Sequence, residues 1–250
     1  MVQNEPVFLP IWLKYYSKYF SGDDIYVFNH RTTDGSVEAC KKQFSFNVID
    51  LDYPFSFDHK WFQFVILNVQ RKLLKFYESV VFTDIDEIIL PTDPSYNGLS
   101  DYIEKMGTNY VRCKGYDLIH LKDKEPSFEP EKPVLRQRKF WYPTHWYDKT
   151  LISRVPLSWK MGNHQVTKLK SNRDNSLLLI HLHKLDFDMC WNKNLEKAKL
   201  NWKEEDIKKN QGFQNRINQM DEFKKYYYHW PFQNLPIEEI PARVRSSEFF

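Results

Sequence analysis

The sequence has few of the features that mark secreted, membrane-spanning or nucleic-acid-binding proteins. Its three cysteines, Cys40, Cys113 and Cys190, lie far apart and in no metal-ligand or redox spacing, so we expect buried thiols and a reducing, cytoplasmic compartment. No apolar run approaches the roughly 20 residues of a membrane span, and no basic-then-apolar signal opens the chain. We therefore expect a soluble protein with at most peripheral membrane contact.

The charge balance is also weak. The formal net charge of +3 is the difference between 36 basic and 33 acidic residues, and so mild a balance does not imply nucleic acid as a partner. No repeat, low-complexity tract or Gly/Ser linker divides the 250 residues, which suffice for one sizeable core. We predict a single domain over residues 1–250, with a helical C-terminal extension over about residues 191–250.

What the chain does contain is an alternation of short apolar runs and amphipathic segments. Apolar runs predict strands at residues 25–29, 46–52 and 79–84, and helical spacing predicts helices at residues 8–19 and 60–77. The alternation predicts an α/β fold whose mostly parallel sheet, flanked by helices, binds ligands beyond the carboxyl ends of its strands. A first strand over about residues 1–3 is short enough to suggest that residues precede it.

Residues 80–91 read VVFTDIDEIILP, with Asp84 and Asp86 where the apolar run ends. In an extended segment residues i and i+2 point the same way, so both carboxylates would face one side. Such oxygens bind Mg²⁺ or Mn²⁺ together with water and substrate phosphate, so the pair predicts a divalent cation and a diphosphate ligand. Glu87 is expected to accept backbone or Arg/Lys donors in a structural role. The alternative is that the acids merely cap a turn.

Two histidines follow a second apolar run, in LLLIHLHKL. His181 and His183 share one strand face, and imidazole is a common metal ligand, so both are candidate ligands beside the aspartates. Their spacing of roughly 6 to 7 Å predicts that only one reaches the cation. We favour His181 as the metal or diphosphate contact and place His183 further out. His164, two residues after a glycine, is a further site candidate.

Taken in order, several segments resemble the family 2-like and family 92-like group of GT-A glycosyltransferases over roughly residues 2–190. They are NEPVFLPIWLKYY, YVFNHRTTDGS, VVFTDIDEIILP, KTLISR, WKMGNHQV and IHLHKLDF. The resemblance implies a GT-A, Rossmann-like fold and a donor of the UDP- or GDP-sugar type. It also implies a glycan or glycoconjugate acceptor and a divalent metal that bridges the donor diphosphate through the DxD aspartates.

By position, the resemblance implies that Asn4 and Glu5 lie near the nucleotide and that Asp34 lies in the loop after the second strand. Where relatives commonly carry an acid that reads uracil, this chain has Asn29 and His30, so the base stays open. Lys60 and Asp84 complete the predicted donor contacts.

No acidic base stands out in an acceptor-side motif. Asp117, Asp148 and His164 are candidates for the catalytic role. The Pro- and charge-rich residues 122–139 predict a mobile lid over the cleft.

Two rival functions remain open. A haloacid-dehalogenase-like phosphatase also places DxD after an apolar strand, with the first aspartate as nucleophile, but it expects Thr or Val where Ile88 stands. A non-catalytic carbohydrate-binding domain would need the acids only for structure.

Overall fold

The computed structural model describes residues 1–160, 163–167, 172–229 and 236–245. The helices are α1 (Phe8–Tyr16), α2 (Ser36–Lys41), α3 (His59–Leu73), α4 (Leu99–Lys105), α5 (Val134–Gln137), α6 (Phe187–Ala198), α7 (Glu204–Lys208), α8 (Met220–His229) and α9 (Ala242–Arg245). The strands are β1 (Tyr26–Asn29), β2 (Asn47–Asp50), β3 (Val80–Val81), β4 (Glu87–Pro91), β5 (Tyr110–Ile119), β6 (Phe140–Pro143), β7 (Thr150–Ser153), β8 (Arg173–Lys184) and β9 (Glu238–Glu239).

The strands form two sheets of different character. β1 and β2 pair in parallel, and Val2 continues this small sheet as a single parallel bridge to Asn29. The larger sheet runs β3-β7-β5-β6-β9, and β8 pairs with both β4 and β5.

Every described pairing in the larger sheet is antiparallel except β5 with β8. The chain is therefore a mixed α/β protein, as predicted, but the expectation of a mostly parallel sheet is wrong for this sheet. The reason lies in the connections: parallel strands are usually joined by a crossover α-helix, whereas the α-helix between β5 and β7 is the four-residue α5.

Helix α1 anchors the segment that carries the predicted acids. The hydroxyl of Tyr15 donates to the carbonyl of Ile89 at 2.5 Å, and the hydroxyl of Tyr16 accepts from the Ile89 amide at 3.1 Å. The Trp12 indole donates to the Thr83 hydroxyl at 2.8 Å. The aromatic residues at helical spacing thus fill the core and also fix the backbone on both sides of the acids.

The main core lies between α1, α4 and the central strands β4, β5 and β8. The run Leu177 to Ile180 of β8 is buried throughout, which fits a strand covered on both faces. In a second cluster, α6 and α8 pack on the sheet through Ile119, Phe187 and Phe223. These helices occupy the region predicted as a helical C-terminal extension, and β9 adds a short edge strand to it.

Among the residues that the structure describes, no helix combines the length and apolar character needed to cross a bilayer.

Residues 122–139, predicted as a lid, are fastened by buried charges. Arg138 is completely buried and donates to the Leu185 carbonyl at 2.5 Å and to the Asp186 carboxylate at 3.2 Å. Glu125, also buried, accepts from the backbone amide of Leu121 at 3.1 Å. Because a buried charge is costly unless it is paired and hydrogen-bonded, these contacts hold both ends of the segment against the fold.

We expect the Arg138→Met substitution to lower the free energy of unfolding by about 3 to 5 kcal/mol, because it leaves the buried Asp186 carboxylate without its cationic partner. Urea denaturation would measure the change. Lys132→Met is the matched control, since Lys132 forms an exposed pair with Glu129, and it should change stability little. Equal effects of the two substitutions would contradict the role given to Arg138.

Candidate metal centre

A cleft of about 410 Å³ opens where the turn before β4, the end of β8 and helix α6 meet. Asp86, His181 and His183 line its floor, and Lys149 and Lys193 also face it. None of residues 122–139 lines this cleft. The predicted lid is therefore not placed over it.

Asp86, His181 and His183 form the cluster that could hold a metal ion. Each offers one ligand atom, and these atoms lie within 4.8 Å of one another. His181 Nε2 is 3.4 Å and His183 Nδ1 is 3.7 Å from the same Asp86 oxygen, Oδ2. Metal–ligand bonds of about 2.0 to 2.2 Å hold ligand atoms roughly 3 to 4 Å apart, so the cluster fits an ion with modest adjustment.

The pairing of β4 with β8 creates this cluster. Glu87 lies opposite His181 in the antiparallel ladder, and the Leu182 amide donates to the Asp86 carbonyl at 2.7 Å. The histidines share one face, as predicted, with their rings 9° from parallel. Both rings approach the same oxygen of Asp86, so which of them reaches a metal stays a prediction.

Asp84 and Asp86 do not belong to one extended segment. The Glu87 amide donates to the Asp84 carbonyl at 3.1 Å, which closes a turn with Ile85 and Asp86 at its centre. The turn breaks the alternation on which the same-side prediction rested. The Asp84 carboxylate instead accepts a hydrogen bond from Lys149 at 3.2 Å. Asp84 as a direct metal ligand stays a prediction.

Lys149 is a buried cation beside the metal cluster. Its ammonium donates to Glu87 at 2.5 Å as well as to Asp84, and Glu87 also accepts from the Asp84 amide at 3.2 Å. The structural role predicted for Glu87 is confirmed. Burial would lower the pKa of Lys149, but Glu87 and Asp84 outweigh it and raise this pKa. Lys149 therefore stays charged, and its single positive charge is shared between the carboxylates of Glu87 and Asp84. We did not select it from the sequence, although it opens the KTLISR segment.

Asp117 holds the His181 ring from the side away from Asp86. Its carboxylate lies 2.9 Å from His181 Nδ1 and accepts from the Tyr142 hydroxyl at 2.5 Å, while Lys184 donates to Tyr142 at 2.8 Å. A carboxylate on Nδ1–H turns the Nε2 edge of the His181 ring towards Asp86, the usual support of a metal-bound imidazole. Asp117 is buried and is not among the residues that line the cleft, and its role as a base stays a prediction.

The floor carries opposite charges. Burial would lower the pKa of His181, but Asp86 and Asp117 raise it to about 10. Burial lowers the pKa of His183 to about 4. Burial alone would raise the pKa of Asp86, yet the two imidazoles hold it well below its usual range. Near neutral pH, His181 is therefore an imidazolium and His183 is neutral.

Tyr147 covers the cluster. Its ring stacks on His181 with centroids 3.9 Å apart. Gly115 of β5 permits this approach, because a Cβ there would lie 2.3 Å from the Tyr147 carbonyl carbon. The neighbouring Asp148 accepts from the Gly115 amide at 2.8 Å and pairs with Arg173 at 3.1 Å. Through the Gly115 amide, Asp148 holds β5 in position. It is not among the residues that line the cleft, where a base would act.

The predicted donor contacts divide into two groups. Four of them line the cleft: Asn4, Glu5, His30 and Asp84. The remaining catalytic candidate, His164, also lines it. Those that do not line it are Asn29, Asp34 and Lys60.

The three outlying residues have other partners. Asn29 donates to Asp50 at 2.8 Å across the parallel pair. Asp34 accepts from the Ser36 amide at 2.9 Å at the start of α2. Lys60 bonds Glu205 at 2.7 Å on the surface. The cleft lining therefore does not bring them together with the other predicted donor contacts, and their donor role stays a prediction.

Lys193 and Lys197 were missed from the sequence. Both project from α6 into the cleft, and Lys193 bonds Glu5. Their spacing of four residues on a helix directly after the HxH segment was the available signal, since residues i and i+4 share one helix face.

Comparison of the chain with protein-family models gives no match, and comparison with curated proteins gives none either.

Metal binding should strengthen as pH rises. His181 is protonated in the metal-free site below about pH 10, and an ion binds Nε2 only after that proton leaves. Between about pH 6 and 8, Mn²⁺ affinity measured by calorimetry should rise by about tenfold per pH unit, the slope of one released proton. His183→Gln should weaken binding but keep the slope, because His183 is already neutral. A pH-independent affinity would contradict this.

Asp117→Asn should weaken Mn²⁺ binding by about 10- to 100-fold, because the amide no longer fixes the His181 tautomer. Titration followed by manganese electron paramagnetic resonance measures it. Asp148→Asn is the control, a buried acid outside the cluster. If it weakens binding as much as Asp117→Asn does, the orienting role of Asp117 is wrong.

Proposed function

We propose that the protein is a metal-dependent glycosyltransferase that moves a sugar from a nucleotide-diphosphate donor to a hydroxyl of a glycan or glycoconjugate acceptor. The observation that carries the proposal is the cluster of Asp86, His181 and His183 in the floor of a cleft that lysines also line. Transfer of a sugar from such a donor releases a diphosphate, whose charge must be balanced by cations placed in advance.

The donor set decides which ion fits best. Two imidazoles and one carboxylate suit Mn²⁺ better than Mg²⁺, which prefers an all-oxygen shell that includes several waters. The same set also suits Zn²⁺ or Fe²⁺, so ion identity has to be measured. When bound, the ion would neutralise charge on the departing diphosphate.

Lysines supply the second half of the anion site. Lys193 and Lys197 face the cleft from α6, and Lys193 reaches Glu5, in the segment that the resemblance assigns to the nucleotide end. An ammonium is a point charge that binds phosphate oxygens. The diphosphate would therefore lie between the Asp86 cluster and these two lysines.

The GT-A fold remains part of the proposal. Its support is the N-terminal region, where Val2, β1 and β2 run parallel and α1 and α2 alternate with them. The three buried free thiols support a reducing, cytoplasmic setting. A UDP- or GDP-sugar is the donor type that we propose.

The phosphatase alternative needs Asp84 as a free nucleophile. Asp84 is held by Lys149, and Asp86 faces two imidazoles, an arrangement that suits a metal ligand better than an acid/base. The carbohydrate-binding alternative leaves a cluster of three metal-type ligands without a purpose. Hydrolysis of p-nitrophenyl phosphate tests the first rival, and hydrolysis of the donor tests the second.

The decisive experiment combines ligand-dependent thermal stability with donor hydrolysis. UDP, GDP, UDP-glucose and GDP-mannose would each be tested with and without MnCl₂, and stabilisation should require both nucleotide and metal. Asp86→Asn should reduce turnover by at least about 100-fold. Lys197→Met should raise the KM for the donor, whereas Lys60→Met, outside the cleft, should not. Wild-type turnover of Asp86→Asn in chelator-treated buffer would sink the proposal.

A further inference from the structure

One wall of the cleft presents hydrogen-bond acceptors that the described protein does not use. Asn163 and His164 both line the cleft. Asn163 is about nine-tenths buried, and its Oδ1 has no hydrogen-bond partner among the described residues. A buried acceptor without a donor is costly, so its retention points to a ligand that brings a donor.

The backbone of Asn163 has an uncommon conformation. Its φ is 57°, in the left-handed region, and its amide donates to the Lys160 carbonyl at 3.0 Å. Asn tolerates the left-handed conformation better than most residues do. Residues held in such conformations cluster at ligand sites, and here the conformation coincides with an unused buried oxygen.

His164 offers a second acceptor beside the first. Its Nδ1 lies 2.6 Å from the Trp146 carbonyl oxygen, which can only accept, so Nδ1 carries the proton and Nε2 keeps a lone pair. Asn163 and His164 together therefore present two acceptors and ask for a ligand rich in donors.

The side chain of Trp146 lies beside His164, outside the residues that line the cleft, and is 53% exposed. Its ring meets the His164 ring edge-on, with centroids 5.8 Å apart. It belongs to a short 3₁₀ helix, His145–Tyr147, whose last residue covers His181. The exposed ring is thus tied to the metal cluster through its neighbour.

We propose that Trp146, Asn163 and His164 form an acceptor subsite for a sugar ring. The apolar face of the ring packs on the Trp146 indole, and its hydroxyls donate to Asn163 Oδ1 and His164 Nε2. The inference rests on the proposed function and adds a binding site to it: the acceptor sugar binds beside Asn163 and His164.

The mixture of groups selects this ligand over others. A lipid chain would leave the two acceptors unsatisfied, because it has no donors. An anion would be repelled by two acceptor atoms. A sugar has both an apolar face and several hydroxyl donors, which is what a single aromatic ring flanked by acceptors can satisfy.

The test measures sugar binding directly, without relying on turnover. Maltotriose, cellotriose and triacetylchitotriose would be titrated into the protein with Mn²⁺ and UDP or GDP present, and binding followed by saturation-transfer NMR. At least one trisaccharide should bind. Trp146→Ala should weaken it by about tenfold, with Trp146→Phe between the two. Asn163→Gly, which keeps the left-handed backbone, and His164→Gln should also weaken it.

Phe76→Ala is the matched control, because Phe76 is an exposed aromatic residue that follows α3, whereas the Trp146 ring lies 5.8 Å from the His164 ring. It should leave sugar binding unchanged. In the transfer assay, Trp146→Ala should raise the KM for the trisaccharide relative to the wild type and leave the KM for the nucleotide sugar unchanged.

The outcomes separate this proposal from the proposed function. Donor hydrolysis without binding of any of the three trisaccharides overturns the subsite and leaves the glycosyltransferase standing. A raised KM for the nucleotide sugar alone assigns the ring to the donor and also overturns it. Trisaccharide binding that depends on Trp146, in a protein that never hydrolyses a donor, supports the subsite and overturns the enzyme.

Discussion

The register between β4 and β8 is the constraint on which the rest of the site depends. Because Glu87 lies opposite His181, the residue before β4 meets the residues after the apolar run of β8, and the ladder ends with the Leu182 amide on the Asp86 carbonyl. A slip of one residue would turn both histidines to the other face of the sheet. The buried run Leu177 to Ile180 opposes such a slip, since it would have to exchange its neighbours on both faces.

Two clusters, each with one cation between two acids, lie side by side at this end of the sheet. In one, the imidazolium of His181 stands between Asp86 and Asp117; in the other, the ammonium of Lys149 stands between Asp84 and Glu87. Each cation has two acids, so each group keeps a net negative charge before any ligand binds. Burying charges in this way costs free energy unless hydrogen bonds satisfy them. Hydrogen bonds join His181 to Asp117 and Lys149 to both Asp84 and Glu87. The remaining negative potential favours a divalent cation.

The local sequence pattern predicted the strand that carries the histidines, but it did not predict which strands are neighbours in the sheet. The apolar run and the HxH spacing predicted a buried strand with both histidines on one face, because period two is a property of the strand itself. The turn at Asp84 was misread, since Val80 and Val81 continued the strand pattern while Asp84 occupied a position that aspartate favours in turns. The role of Asp117 could not be predicted, because it requires knowing that β5 and β8 are neighbours. Long-range pairing of that kind is not encoded in any one segment.

The central position of β8 also bears on how the chain is made. β8 begins at Arg173 and separates β4 from β5, which are synthesised long before it. Until it emerges from the ribosome, the apolar edges of Ile88 to Leu90 and of β5 have no partner and are open to pairing with another chain. Contacts between distant segments also slow folding. Changes in β8 should therefore affect the yield of native protein during translation as well as the stability of the finished fold.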